Sequence, residues 1–214
     1  MENADHNKII KAIATKLFKP HGIKRKGQSR LFIDDNGWFI IIIEFQPHNY
    51  NRGAFLNIGI NFNWYLNDYF SFDIGGREKD FIEYKNTDQF TAEIKKICEY
   101  SIEKINGYRS QFKNIKDAEK IILKTQYTSD DFWGNYHRGI ISGLVGNMDN
   151  LKKYFEKILN EPDDNIGWRI ELKKNIKELK ALAEKDSSNF NEKIKGIIKE
   201  ARKRKNLDEK EIII

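Results

Sequence analysis

The residues that could do chemistry come early in the chain. Asp34-Asp35 is followed by Glu44-Phe45-Gln46. An aspartate followed by a Glu-x-Lys unit can hold a divalent metal for nuclease-like phosphodiester hydrolysis. Two features argue against that reading. Asn36-Gly37 puts a tight turn beside Asp35. Glu44 then lies several residues up the next strand, and at ~3.3 Å per residue that sets it far from Asp35. Metal ligands must lie within ~2–2.5 Å of one ion. Gln46 also stands where the lysine belongs. A metal-dependent, nuclease-like enzyme is therefore an alternative that survives only if the hairpin is absent.

The remaining reactive side chains are dispersed. His6, His21, His48 and His137 have no second ligand at helical i+4 or alternating-strand spacing, although His21 and His48 flank the expected sheet. Cys98 is the single cysteine, so neither an internal disulfide framework nor a cysteine-rich zinc site is available. It falls on an apolar helical stripe, which makes it a buried, inert thiol. Asp130-Asp131 and Asp163-Asp164 read as helix-start or loop pairs. There is no G-x-S-x-G, phosphate-binding glycine loop or dinucleotide fingerprint. No catalytic residue, metal ligand or cofactor is expected, and the balance leans away from an enzyme.

Charge suggests a different class of partner. The net charge is +6 and the pI about 9.1. Lys24, Arg25, Lys26 and Arg30 form one basic segment. Lys193, Lys195, Lys199, Arg202, Lys203, Arg204 and Lys205 lie along one side of the last helical stretch. Nucleic-acid binding through 24–30 and 193–205 is the second alternative. Against it, the chain is rich in Lys, Ile and Asn together. A/T-rich coding produces that bias without selection for binding.

The elements that must position these residues follow from periodicity. Asp5 to Lys19 reads as a helix, with Ile9, Ile10, Ile13, Leu17 and Phe18 as its apolar stripe, Asp5 as cap and Pro20 as stop. Gln28 to Trp64 reads as three strands. Asn36-Gly37 predicts a type I′ hairpin pairing Asp35 with Trp38, Ile33 with Ile40, Leu31 with Ile42 and Ser29 with Glu44. One face then carries Leu31, Ile33, Trp38, Ile40 and Ile42, and the other Phe32, Phe39, Ile41, Ile43 and Phe45. The third strand alternates cleanly: Leu56, Ile58, Ile60, Phe62 and Trp64 against Phe55, Asn57, Gly59, Asn61 and Asn63. The irregular loop Pro47 to Gly53 leaves open which set joins which face of the second strand, and either way one face is fully apolar. Gly59 in mid-strand suggests a bulge or a close backbone approach. Tyr69 to Ile74 is expected as a strand ended by Gly75-Gly76, with another short strand at Phe81 to Tyr84. Asn86 opens a helix with Gln89 as capping partner and Gly107 as its C-terminal cap.

Beyond Tyr108 strand signals vanish. Helices are expected at 114–124, 130–144 (capped by Ser129), 151–159, 166–184 and 190–205. Gly146 at the turn, Leu151, Phe155 and Ile158 loosely resemble one tetratricopeptide unit. Leu151 replaces the usual alanine and no second copy follows, so a generic antiparallel helix pair fits better. The Ile212-Ile213-Ile214 tail is expected to dock on the fold or join a sheet edge. The fold class is therefore α+β: an N-terminal helix, an antiparallel meander sheet of about four to five strands, then an all-helical half of antiparallel helix pairs. The expected division is 1–110 and 111–214.

The segment KPHGIKRKGQSRLFIDDNGWFIIIIEFQPHNYNRGAFLNIGINF resembles the bacterial family named domain of unknown function 4304. The resemblance is carried by His21-Gly22-Ile23-Lys24-Arg25-Lys26-Gly27, the hairpin, and Leu56-Asn57-Ile58-Gly59-Ile60. It covers mainly the first half. It implies an α+β fold in a small intracellular protein and supplies no catalytic residue. The amphipathic N-terminus lacks the basic start and apolar core of a signal peptide, and no stretch approaches the ~20 apolar residues of a membrane span. A cytoplasmic location with no membrane partner is expected. The favoured function is a non-catalytic protein-binding module, immunity-like by analogy. Its candidate residues are Phe55, Asn57, Asn61, Asn63 and Trp64, with Lys24, Arg25, Lys26 and Arg30 as the basic candidates.

Overall fold

A computed structural model describes residues 5–127, 131–162 and 165–214. The caps expected from Asp5 and Ser129, and the pairs Asp130-Asp131 and Asp163-Asp164, fall on residues or side chains outside those described. The chain divides into two compact units. The first holds the residues up to Phe62 together with Tyr69–Ser110; the second holds Asn63–Asp68 and Gln111–Ile214. The short stretch 63–68, which leaves the sheet, belongs with the helices that follow it.

The first unit begins with helix α1 (Asp5–Phe18), which buries Ile10, Ala14 and Phe18. A 3-10 turn at Lys19–His21 takes Pro20 into its start, and Gly22 closes it at φ 76°. Five antiparallel strands follow in the order β1-β2-β3-β4-β5: β1 (Lys24–Arg25), β2 (Leu31–Asp35), β3 (Phe39–Gln46), β4 (Gly53–Phe62) and β5 (Ile74–Glu83). Each is hydrogen-bonded to the next, so the sheet is a meander. Helix α2 (Thr87–Gln111) completes the unit.

The hairpin forms one step further along than the Asn-Gly signal predicts. Asp35 faces Ile40, Ile33 faces Ile42 and Leu31 faces Glu44. The Asn36 amide donates to the Phe39 carbonyl (3.0 Å), which leaves Gly37-Trp38 as the two-residue loop. Only Gly37 has positive φ (83°), the requirement of a type II′ turn and not of type I′. Asn36 is used instead as a donor to Asp34 (Oδ2, 2.8 Å). The register thus slips by two residues. Two is the pleat period, so every side chain keeps its expected face.

One sheet face is apolar apart from Asp34 at its β2 end: Phe32, Phe39, Ile41, Ile43, Phe45, Leu56, Ile58, Ile60 and Phe62 are all buried on it. Each such side chain contributes about 1.5–3 kcal/mol on burial, so this face dictates pleat parity. Both helices bind it. Phe18 meets Phe32 edge-on at 5.1 Å. Arg109 of α2 grips Asp34 through Nε (2.9 Å) and Nη2 (2.7 Å) and also donates to the His21 carbonyl.

Two boundaries differ from expectation. Tyr69–Asp73 is not a strand, and Gly75-Gly76 does not end one; both glycines lie inside β5. Gly75 faces Gly59, and a Cβ on Gly75 would come 2.7 Å from the Gly59 Cα. A Cβ on Gly59 would overlap the Ile74 carbonyl and come 2.7 Å from the Phe72 ring. The expected close backbone approach at Gly59 is therefore present, made by β5. Likewise α2 starts as expected, with the Gln89 amide donating to Asn86 Oδ1 (2.9 Å) and Gln89 Oε1 accepting from the Lys85 amide. It then passes through Gly107 to Gln111. Glycine in a helix costs about 1 kcal/mol, and the last turn beyond it is tied to the sheet by Arg109 on Asp34.

The second unit is helical: α3 (Ile115–Lys124), α4 (Asp131–Leu144), α5 (Met148–Leu159), α6 (Gly167–Lys185) and α7 (Ser187–Arg204). Asn114, Asn147 and Asp186 cap α3, α5 and α7 through their side-chain oxygens. Gly139 and Gly143 open the face of α4. Phe155 occupies the space where a Cβ at 139 would be, and Phe190 and Leu151 do so at 143. The stretch Asn63–Asp68 is held by the same helices. The Trp64 indole donates to His137 Nδ1 (2.9 Å), and the Tyr136 hydroxyl donates to the Trp64 carbonyl (2.8 Å). The tail does not form a strand; Ile212 is buried and Ile213 exposed.

Candidate binding face

The sheet face away from α1 and α2 carries the amide-bearing side of β4. Its centre is a row of three residues on neighbouring strands, Glu44–Asn57–Arg77. Asn57 is buried and fully engaged. Its Nδ2 donates to Glu44 Oε2 (2.7 Å) and to Gln46 Oε1 (3.0 Å). Its Oδ1 accepts from Arg77 Nε (2.8 Å). Arg77 Nη2 donates to Gln46 Oε1 (2.7 Å), and the guanidinium lies over the Phe55 ring, 3.8 Å from the centroid. Two amides and a ring thus fix the plane of an arginine that is itself exposed.

The strand geometry explains why Arg77 stands there alone. Register shifts between Ala54, Leu56 and Asn57 put extra residues into β5. Glu78 and Lys79 both meet Tyr100 of α2: the Tyr100 hydroxyl donates to Glu78 Oε2 (2.5 Å), and Lys79 sits over the ring. That hydrogen bond, with burial and the Glu78 charge adding, pushes the phenol up to about 12. The carboxylate that follows Arg77 in sequence is therefore turned to the other side of the sheet. Among the described residues no carboxylate forms an ion pair with Arg77.

Aromatic groups surround it. Phe81 packs against Phe55 (5.2 Å), and His48 against both (5.1 and 5.9 Å). His48 Nδ1 accepts from the amides of Tyr50 and Asn51 and so shapes the 47–53 loop, leaving Tyr50 90% exposed at its tip. Phe72 lies beside Gly59 and is partly exposed. The Tyr69–Asp73 segment lies over the end of β4 on this face, at Gly59 and Asn61. Asp73 Oδ2 accepts from the Phe62 amide (2.6 Å) and Asn61 Nδ2 (3.2 Å), and Asn61 also donates to Ser71 Oγ.

The structure separates the sequence candidates. Phe55 and Asn57 belong to the open part of this face. Asn61 is closed over by Ser71 and Asp73. Asn63 and Trp64 are fully buried in the helical unit, Asn63 accepting from Lys205 Nζ (3.1 Å). Of the basic candidates, Arg25 donates to Gln28, and Arg30 to the Gly53 carbonyl. Burial lowers the Arg30 pKa against the opposing pull of Glu44. Lys26 lies 6.0 Å from the Phe70 ring, and Lys24 is exposed on the two-residue strand β1. Arg77, the centre of the site, was hidden in the sequence: Gly75-Gly76-Arg77 reads as a turn, and only the glycine-dependent pairing of β5 with β4 brings it beside Asn57.

The basic side of α7 is mostly consumed. Lys193 pairs with Glu178, Lys195 with Glu192 and Arg204 with Glu200. Arg202 and Lys205 are buried, Arg202 donating to the Asp208 carbonyl. Lys199 and Lys203 are the two left without an ion pair among the described residues.

Among the described residues no group of three or more His, Cys, Asp or Glu side chains comes together. Asp34 is spent on Arg109 and Asn36. Asp35 and Glu44 are closer than the expected hairpin implied, because Asp35 faces Ile40 and Glu44 faces Leu31. Four residues along a strand is still ~13 Å, and Glu44 is engaged by Asn57. No helix among the described residues is long and apolar enough to cross a membrane. Comparison with protein-family models, with curated proteins and with solved structures finds no match.

Proposed function

We propose that this protein is a non-catalytic protein-binding module that engages its partner through the open part of the second sheet face, centred on Arg77 and Phe55. One observation carries the reading: an exposed guanidinium is held over an aromatic ring by two neutral amides. Holding a rotamer-rich side chain in one pose before binding removes about 0.5–1.5 kcal/mol of the ordering cost of association. Arginine and aromatic groups are also the residues that dominate protein interfaces energetically. The resemblance of residues 19–63 to a family without an established activity is consistent with a binding role and assigns no chemistry. An immunity-like role is one biological form of this reading.

Nucleic acid is the weaker alternative. Most of the cations of α7 are paired or buried, and Glu44 lies in the row with Arg77, where a polyanion would meet it. The test is co-purification from the source cells with the tagged wild-type chain, with Arg77→Gln and with Phe55→Ala, at two salt concentrations. A stoichiometric protein that is retained by the wild type and lost with either variant is the expected result. Recovery of nucleic acid alone, or a protein bound equally by all three chains, would overturn the proposal.

A further inference from the structure

We infer that the partner presents a carboxylate, from an aspartate or glutamate flanked by an apolar side chain, to the guanidinium of Arg77; this rests on the binding face proposed above. Charge is the first reason. Arg109, which reaches the opposite face of the sheet from α2, is neutralised by Asp34, and Arg204 by Glu200. Arg77 receives only the neutral oxygens of Asn57 and Gln46. These occupy Nε and one direction of Nη2, which leaves outward N–H donors and a full positive charge. A guanidinium presents parallel donors that match a carboxylate bidentately.

The surroundings limit what carries that carboxylate. Phe55, Phe81 and Phe72 make the neighbouring surface apolar, so the adjoining group on the partner must be apolar too. Glu44 is the nearest acid in the row and is committed to Asn57. Its charge, added to that of one docked carboxylate, disfavours any further anion close by, which favours a single carboxylate over a run of phosphates. The sequence supplies the device by alternation: β4 offers Phe55 and Asn57 on one side, and the bulged β5 removes Glu78 from it.

The test uses the full-length chain and a random twelve-residue peptide library displayed on phage. Selected peptides are expected to share an Asp or Glu next to an aromatic or aliphatic residue. Changing that acid to its amide, or Arg77 to Gln, is expected to weaken binding roughly 10–100-fold, the loss of one charge-assisted pair. Arg77→Lys should recover part of it. Thermal melts of each variant exclude unfolding as the cause. Peptides without a shared acid that still depend on Arg77 would overturn the carboxylate and leave the binding face standing. Peptides indifferent to both Arg77 and Phe55, or no selected binder, would overturn both. Displacement of the peptide by an oligothymidylate at low salt would overturn the inference in favour of phosphate.

Discussion

Arg77 and Arg109 differ in what neutralises them, and the difference separates function from stability. Arg109 closes on a carboxylate whose side chain is only 7% exposed, while its own is 32% exposed. Removing one partner of such a pair strands the other, and a part-exposed partner softens the cost. Arg109→Ala is expected to lose roughly 2–3 kcal/mol in urea unfolding, whereas Arg77→Gln should stay within about 1 kcal/mol of the wild type. Cys98 gives a second residue-scale expectation. Burial, with the charge of Glu99 adding, pushes its thiol from 9.0 up to about 12. Between those values the unfolded chain has released the proton and the native chain has kept it. The native state then binds more protons, so this group's contribution to stability falls as pH rises through that window. At pH 8 a disulfide reagent should label the native chain roughly 100-fold more slowly than the urea-unfolded chain. Equal rates would contradict the buried site.

At the scale of elements, glycines decide where strands and helices run. Gly59 and Gly107 both interrupt good periodic segments, yet their surroundings are opposite. Gly59→Ala would drive a methyl into the Ile74 carbonyl and the Phe72 ring and should cost more than ~2 kcal/mol by loosening β4 from β5. At Gly107 a methyl would meet nothing within 4 Å, and Gly107→Ala should stabilise by roughly 0.5–1 kcal/mol. Paired thermal melts of the two variants check both signs. These positions also show what could be read from sequence. Period-two alternation assigned the β2 and β3 side chains to their faces, even though the turn lies one residue further on. For β4 it separated the two sets but not which set joins which face, because the 47–53 loop is irregular. The path of Gly75-Gly76 was not legible, because a glycine pair looks the same as a strand end and as a close approach, and the partner backbone that distinguishes them is distant in the chain. Arg77 was missed with it.

For the whole molecule, the stretch Asn63–Asp68 matters most. Trp64 continues the alternation of β4 and so reads as its last residue, but its indole and carbonyl are bound by His137 and Tyr136. Local pattern cannot reveal that, since both partners lie more than seventy residues away. A fragment of residues 111–214 would lack this stretch and leave Lys205 without the Asn63 acceptor. It is expected to lose cooperative unfolding by circular dichroism; a sharp transition close to that of the intact chain would contradict the division of units. The central claim, that the open second face is where a partner docks, is tested most directly by site-specific photo-crosslinking in the source cells. A photoreactive phenylalanine replaces Phe72 or Tyr50 on that face, or Lys199 on α7. The expected result is a discrete protein adduct from positions 72 and 50, abolished by Arg77→Gln, and none from 199. An adduct from 199 with none from 72 or 50 would contradict it.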